Sequence, residues 1–139
     1  MPFKLEFPYK RTVGSVIGGF LTGLKEQRLL GSRTAEGRVL VPPLEYDPDN
    51  GESTESELVE VGPGGVVRGF TWNSEPKDAQ PLDRPFAWAL VQLDGADTTL
   101  LHALDVDSTA EVSVGMRVKP RWRPEPRGHI TDLECFVPE

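Results

Sequence analysis

The chain has 139 residues, of which 37% are hydrophobic and 27% charged, and this composition excludes both a largely disordered chain and two large domains. Its 15 lysines and arginines against 22 aspartates and glutamates give a net charge of −7, which argues against nucleic-acid binding because cationic side chains drive that binding. The single cysteine, Cys135, excludes an internal disulfide. No apolar run is long enough to span a bilayer, so we expect an unexported, cytoplasmic protein.

Residues 1–29 combine an extended arm with one amphipathic helix. The arm alternates aromatic and charged residues between prolines, and from Thr12 onward apolar residues recur at the spacing of one helical face. Four glycines lower the helix propensity of this segment. We therefore expect it to need a docking surface, in this chain or in another, and we assign a partner contact to its apolar side chains. These candidate contacts are Phe3, Phe7, Tyr9, Val13, Ile17 and Phe20.

Residues 30–57 have the spacing of a zinc ribbon without its ligands. Arg33, Glu36, Asp47 and Asn50 stand where the pattern C-x2-C-x10-C-x2-C requires cysteine. Because an arginine repels Zn²⁺ and two carboxylates form at best a weak site, we expect a degenerate, metal-free hairpin. An ion pair of Arg33 with Asp47 or Glu36 is the expected replacement. The alternative is an ordinary turn-rich linker that matches the spacing by chance.

Residues 58–139 contain runs of strand-forming residues separated by turns, and an Asp94-Gly95 pair marks one hairpin. The runs are 66–72, 86–93, 98–104, 116–123 and 130–136. A three-stranded meander, a short connection and a final hairpin are the order of a five-stranded oligonucleotide/oligosaccharide-binding (OB) barrel. A small antiparallel sandwich is the alternative. We predict a mainly β protein in which the barrel follows the helix and the degenerate ribbon.

The order of these landmarks resembles the domain-of-unknown-function 35 family, whose members have an N-terminal helix, a rubredoxin-like zinc ribbon and an acyl-CoA-associated OB fold. The resemblance is carried by GRVLVPP, by PFAWALVQLDGADTTLLHAL and by SVGMRVKPRW. All four ribbon cysteines are absent from this chain. The resemblance implies a non-catalytic subunit of a thiolase-superfamily enzyme that handles acyl-CoA, such as a lipid-transfer-type thiolase or an aldol-lyase of steroid side-chain breakdown.

That implied assembly is a hetero-oligomer with a thiolase-like subunit, for instance with two copies of each. It includes no cofactor and no metal in this chain, and no membrane contact. Whether the chain itself touches acyl-CoA is left open.

A run of cations follows the predicted fourth strand of the barrel. Arg117, Lys119, Arg121 and Arg123 occupy every second position, so they share one face of the strand. They would meet an acidic partner or the phosphates of coenzyme A, or they pair across the hairpin with Asp132 and Glu134. Arg121 and Arg123 are therefore the secondary candidates for partner binding.

No catalytic constellation is evident. His102 alternates with leucines and is expected in the core or at its rim, and Cys135 has no cationic sequence neighbour that would lower its pKa. The three tryptophans are expected in the barrel core. Two other function classes stay open: a single-stranded nucleic-acid binder, which an OB barrel would permit, and a small hydrolase or hydratase that uses His102 with a carboxylate.

Overall fold

The computed structural model describes residues 14–139, with side chains from residue 16 onward. The candidate contacts Phe3, Phe7, Tyr9 and Val13 lie outside these residues. The first half contains α1 (Gly14–Lys25), β1 (Leu29–Arg33), β2 (Val39–Leu40) and β3 (Val59–Val61). The second half contains β4 (Gly65–Asn73), β5 (Phe86–Leu93), β6 (Leu100–Leu104), β7 (Arg117–Trp122) and β8 (Leu133–Pro138). Short 3₁₀ turns span Thr109–Glu111 and Ile130–Asp132.

The second half forms a closed barrel with the strand order β4-β5-β6-β8-β7. Neighbouring strands are antiparallel except β6 and β8, which run parallel where Leu104 faces Phe136. This closure distinguishes the OB fold from a two-sheet sandwich, so the predicted barrel is confirmed. No helix within residues 14–139 has the length and apolar composition needed to cross a membrane.

Alternation along β5 sorts its side chains between two apolar clusters. Ala87, Ala89 and Val91 are fully buried in the barrel interior. Phe86 and Trp88 project from the opposite face and pack into a second cluster together with Leu82 of the β4–β5 connection. Trp88 therefore corrects the expectation that all three tryptophans fill the barrel, whereas Trp72 and Trp122 do pack against the main core.

The ribbon is a three-stranded sheet in which β1 lies between β2 and β3. Because β3 pairs with β1, the ribbon sheet includes residues beyond the expected end of the hairpin at residue 57. Gly31 is required at the centre of this sheet: a Cβ there would lie 2.8 Å from the carbonyl oxygen of Leu40 and 2.9 Å from methyl carbons of Val39 and Val41.

The two turns that hold zinc ligands in a true ribbon are present as glycine turns, with φ of 88° at Gly37 and 75° at Gly51. Asp47 is buried, and its carboxylate accepts the backbone N–H of Asp49 at 2.9 Å. Arg33 pairs with Glu55 at 3.8 Å. The expected Arg33 pair with Asp47 or Glu36 was therefore wrong, because Asp47 turns inward onto its own loop while Arg33 stays exposed.

Helix α1 docks within this chain. Phe20 and Leu24 are 3% and 0% exposed in the main core, and Ile17 is half-buried. Two of the helix glycines allow close approach: a Cβ at Gly23 would lie 2.7 Å from a methyl carbon of Leu30, and one at Gly19 would lie 2.8 Å from a methyl carbon of Leu58. Phe20 therefore does not belong to an exposed partner surface.

Ribbon and barrel meet along a seam between the Val39–Val41 segment and the turn that joins β5 to β6. The Val39 N–H donates to the Asp97 carboxylate at 2.9 Å, and the Asp97 N–H donates to the Val39 carbonyl at 2.9 Å. The Thr98 hydroxyl accepts from the Val41 N–H at 2.7 Å and donates to the Val41 carbonyl at 3.1 Å. One apolar cluster continues through α1, the ribbon and the barrel interior.

Candidate functional site

A cavity of about 730 Å³ lies between the β4–β5 connection and the β7–β8 hairpin. Ala79, Gln80 and Pro81 form one wall, and residues 123, 124 and 129–131 form the other. Trp88 of β5 and Leu101 of β6 also line the cavity. In OB folds, ligands bind on the second and third barrel strands, between the loop that joins strands one and two and the loop that joins strands four and five. In this chain those strands are β5 and β6, and those loops are the two walls of the cavity. The cavity is therefore the candidate functional site.

The cavity is lined by apolar side chains that are only partly covered. Leu101 is 58% exposed and Ile130 38% exposed. Trp88 is half-buried and held by an edge-to-face contact with Phe86, whose ring centroid lies 5.0 Å away. Apolar surface gathered in a concave site is the usual composition of a small-molecule pocket.

The hairpin wall is fixed by one buried carboxylate. Asp132 is 1% exposed and accepts the backbone N–H groups of Arg127, Gly128 and His129 at 2.8, 2.7 and 3.2 Å. Burial by itself raises the pKa of Asp132, but these three hydrogen bonds outweigh it and hold that pKa below the ordinary value of 3.8. The wall is therefore ordered by the chain itself.

The cations of β7 differ in their partners. Arg117 forms two hydrogen bonds with Asp94, at 2.8 and 2.7 Å. Arg121 pairs with Glu134 at 2.5 Å and with Asp105 at 2.8 Å. Cross-strand pairing thus holds for Glu134 but not for Asp132, which is engaged with its own turn.

Arg123 is the cation that lines the cavity. Within residues 14–139 no carboxylate oxygen forms an ion pair with it, although its charge contributes to the lowered pKa of Asp132. Its own backbone N–H donates to the Asp132 carbonyl at 2.8 Å, which ties the base of the side chain to the ordered wall.

His102 and Cys135 have structural positions, as expected. The His102 Nε2 donates to the Leu133 carbonyl at 2.6 Å, and its ring meets Phe136 edge to face. Burial lowers the pKa of His102 more than this hydrogen bond raises it. Burial also raises the pKa of Cys135 to about 11, so the thiol is protonated at neutral pH and is a poor nucleophile.

An exposed apolar surface continues outward from the cavity. Leu90 and Leu101 face each other across β5 and β6 and are 41% and 58% exposed. Gly69, opposite Leu90 on β4, has no side chain to cover it. We call Leu90 and Leu101 the leucine pair. No sequence pattern marks this pair, because each leucine alone is ordinary in a strand.

The closed barrel and the ribbon sheet that precedes it, with α1 packed against the same apolar core, define an OB-fold protein. Residues 58–123 match the family described as ChsH2, C-terminal OB-fold domain. The resemblance found in the sequence is thus confirmed. A comparison with the curated proteins gives no match.

Two solved structures are similar to the chain. One is a chain of the "Ltp2-ChsH2(DUF35) aldolase", at 22% identity and a TM-score of 0.66, with 93% of this chain and 98% of that chain covered. The other is a DUF35 family protein of unknown function from Sulfolobus solfataricus, at 26% identity and a TM-score of 0.62, with 78% and 77% covered.

Proposed function

We propose that this chain is a non-catalytic accessory subunit of a thiolase-superfamily enzyme that acts on acyl-CoA in lipid or steroid catabolism in the cytoplasm. The observation that carries the proposal is the match, over helix, ribbon and barrel, to a chain of an aldolase assembly. The match of residues 58–123 to the ChsH2 family supports it independently.

The chemistry of the described residues agrees with a non-catalytic role. His102 is buried with a lowered pKa, and Cys135 is buried with a raised one. Neither side chain is arranged with a base and an orienting group as a nucleophilic site requires. In this proposal the partner supplies the reacting groups, and this subunit orders loops of the partner at its acyl-CoA entrance.

The burial of each side chain changes the surface that we propose for contact with the partner. Phe20 is withdrawn because it is core, and Arg121 is already paired with two carboxylates. Ile17 and Arg123 are half-buried and are retained, and the exposed leucine pair is added. The contacts proposed for the arm, at Phe3, Phe7 and Tyr9, and for the start of the predicted helix, at Val13, are also kept.

Co-expression with a thiolase-like enzyme from the same organism, followed by size-exclusion chromatography with light scattering, tests the proposal. We expect one hetero-oligomeric peak, for instance of two plus two subunits. Separate elution of the two proteins would overturn the accessory role.

The leucine pair is tested in the same assay with Leu101→Glu. Introducing a charge into an apolar contact is expected to weaken the complex about tenfold or more. Val114→Glu is the matched control because Val114 is a similarly exposed apolar residue, at 62%, outside the cavity and the leucine pair. Equal assembly of both variants would remove the leucine pair from the interface.

Single-stranded nucleic-acid binding is the less favoured alternative. The net charge is −7, and both Arg117 and Arg121 are paired with carboxylates. A gel shift at low salt that weakens steeply as salt is added would favour it instead.

A further inference from the structure

We propose that the cavity beside Trp88 is a binding site for an amphipathic organic anion, meaning an apolar body of small-molecule size that carries one carboxylate or similar acid group. The inference does not depend on the accessory role, because every residue it uses belongs to this chain. It rests on the shape of the cavity, on the charge at its edge and on the order of its walls.

The shape and the lining set the apolar part of the ligand. A cavity of about 730 Å³ falls in the range of small-molecule sites, about 300–1,000 Å³. Trp88, Leu101 and Ile130 give it apolar walls from three separate elements: β5, β6 and the 3₁₀ turn that lies between β7 and β8. Filling the cavity would remove the exposed surface of Leu101 and Ile130 from water.

The charged side chains at the edge of the cavity determine the polar part of the ligand. Glu134 also lines the cavity, but its carboxylate is held by Arg121 at 2.5 Å. His102 lines it as well, and burial lowers its pKa so that the ring is neutral above its ordinary pKa of 6.5. Arg123 is half-buried, and within residues 14–139 it forms no ion pair. A guanidinium of this kind suits a carboxylate, which it can bind through two hydrogen bonds.

The walls require little rearrangement to receive a ligand. The Asp132 carboxylate orders the hairpin loop through three backbone hydrogen bonds. Phe86 holds the Trp88 ring at an interplanar angle of 70°. Such ordering reduces the entropy that binding must offset.

The test uses the full chain at pH 7.5, without a partner, and isothermal titration with two isosteric probes, 2-naphthoate and 2-naphthamide. We expect saturable binding in which the carboxylate binds about fivefold more tightly than the amide, the ratio that corresponds to roughly 1 kcal/mol for a half-exposed charge pair. In Arg123→Met this ratio should fall to about one. The same titration with decanoate and decanamide shows whether the cavity accepts a flexible apolar chain as well as the flat naphthalene ring.

Lys119→Met is the matched control, because Lys119 is an exposed cation of β7, the strand that ends one residue before Arg123, and lies outside the cavity. It should keep the fivefold ratio if the effect is local to Arg123 rather than a general effect of net charge. The indole N–H resonance of Trp88, assigned with Trp88→Phe, should shift on titration while those of Trp72 and Trp122 stay in place. No saturable binding, equal affinity for acid and amide, or a ratio that persists in Arg123→Met would each overturn the proposal.

Discussion

Asp132 shows how much order one buried carboxylate can impose. Its two oxygens accept three consecutive backbone N–H groups of a segment that has no regular secondary structure of its own. Hydrogen bonds to a charged acceptor are stronger than neutral ones, and a loss leaves backbone donors unpaired. The hairpin wall of the cavity thus depends on a residue whose side chain is hidden from solvent.

Asp132→Asn is expected to lower the free energy of unfolding by about 1–3 kcal/mol, because an amide offers one acceptor oxygen and turns its NH₂ group toward backbone donors. Urea denaturation followed by tryptophan fluorescence measures this loss. Asp107→Asn is the control, since Asp107 is exposed and its substitution should change stability by less than about 0.5 kcal/mol. Equal stabilities of the two variants would show that the loop is held by other contacts.

His102 predicts a pH dependence of stability. Burial lowers its pKa in the folded state from the ordinary 6.5, so the unfolded chain binds the proton more readily. The contribution of His102 to stability is therefore complete above pH 6.5 and is lost as the pH falls toward the lowered value.

The free energy of unfolding is measured between about pH 5 and 7.5. In the wild type it should decrease as the pH is lowered, and in His102→Gln it should decrease less steeply. Glutamine is chosen because its amide can still donate to the Leu133 carbonyl. An unchanged slope in His102→Gln would assign the acid sensitivity to other groups.

Among the elements, the ribbon sheet has a central glycine that its packing requires. Gly31 lies on the central strand against backbone and side-chain atoms of the Val39–Val41 segment. The turns of the ribbon close through backbone hydrogen bonds, such as the one from the Gly37 N–H to the Thr34 carbonyl at 2.9 Å. The folded ribbon sheet therefore does not need thiolates at the four ligand positions.

Gly31→Ala is expected to cost about 1–3 kcal/mol, since the new methyl group must displace β1 from β2. Thermal or urea unfolding gives the value. Gly69→Ala is a suitable control on β4, because a Cβ there would lie at an ordinary 3.7 Å from a methyl carbon of Leu90. If the two substitutions cost the same, steric exclusion at Gly31 is not the reason for the glycine.

The elements that sequence predicts well are those with a local signal. The barrel strands alternate clearly, and β5 spans Phe86–Leu93, the same residues as the predicted run. β3 was missed as a ribbon strand because Val59–Val61 has only three residues and its partner, β1, lies about thirty residues earlier in the chain. The pairing of a strand this short is determined by tertiary contacts.

The candidate site was predicted only in part for the same reason. Arg123 is predicted by the alternation of charges that runs along β7 and one residue past its end, which is a local pattern. The cavity needs residues 79–81 to face residues 123–131, and nothing in either segment records that they meet. The position of Trp88 outside the barrel likewise depends on Leu82 folding over it.

At the scale of the whole molecule, helix, ribbon and barrel share one apolar core. The seam at Asp97 and Thr98 adds backbone pairing between the ribbon and the turn of the barrel. We therefore expect the described part of the chain to unfold as a single cooperative unit.

Thr98→Val tests this expectation, because it keeps the shape of the side chain but removes both hydrogen bonds with Val41. The expected cost is about 1–3 kcal/mol. Tryptophan fluorescence, which reports on the barrel, and hydrogen exchange of β1 amides in the ribbon should show the same loss. Thr99→Val is the control, as no side-chain hydrogen bond of Thr99 is found within residues 14–139. Loss of protection in the ribbon alone would mean that the two parts unfold separately.

The pairing of β3 with β1 has a consequence for anyone who trims the chain to its barrel. A fragment starting at residue 58 keeps β3 but loses the strand that pairs with it, and it uncovers Val61 and the other barrel-side contacts of the ribbon. Bare strand edges and freshly uncovered apolar surface are the features that make truncated proteins self-associate. Insolubility of such a fragment would reflect where it was cut rather than an inherent weakness of the barrel.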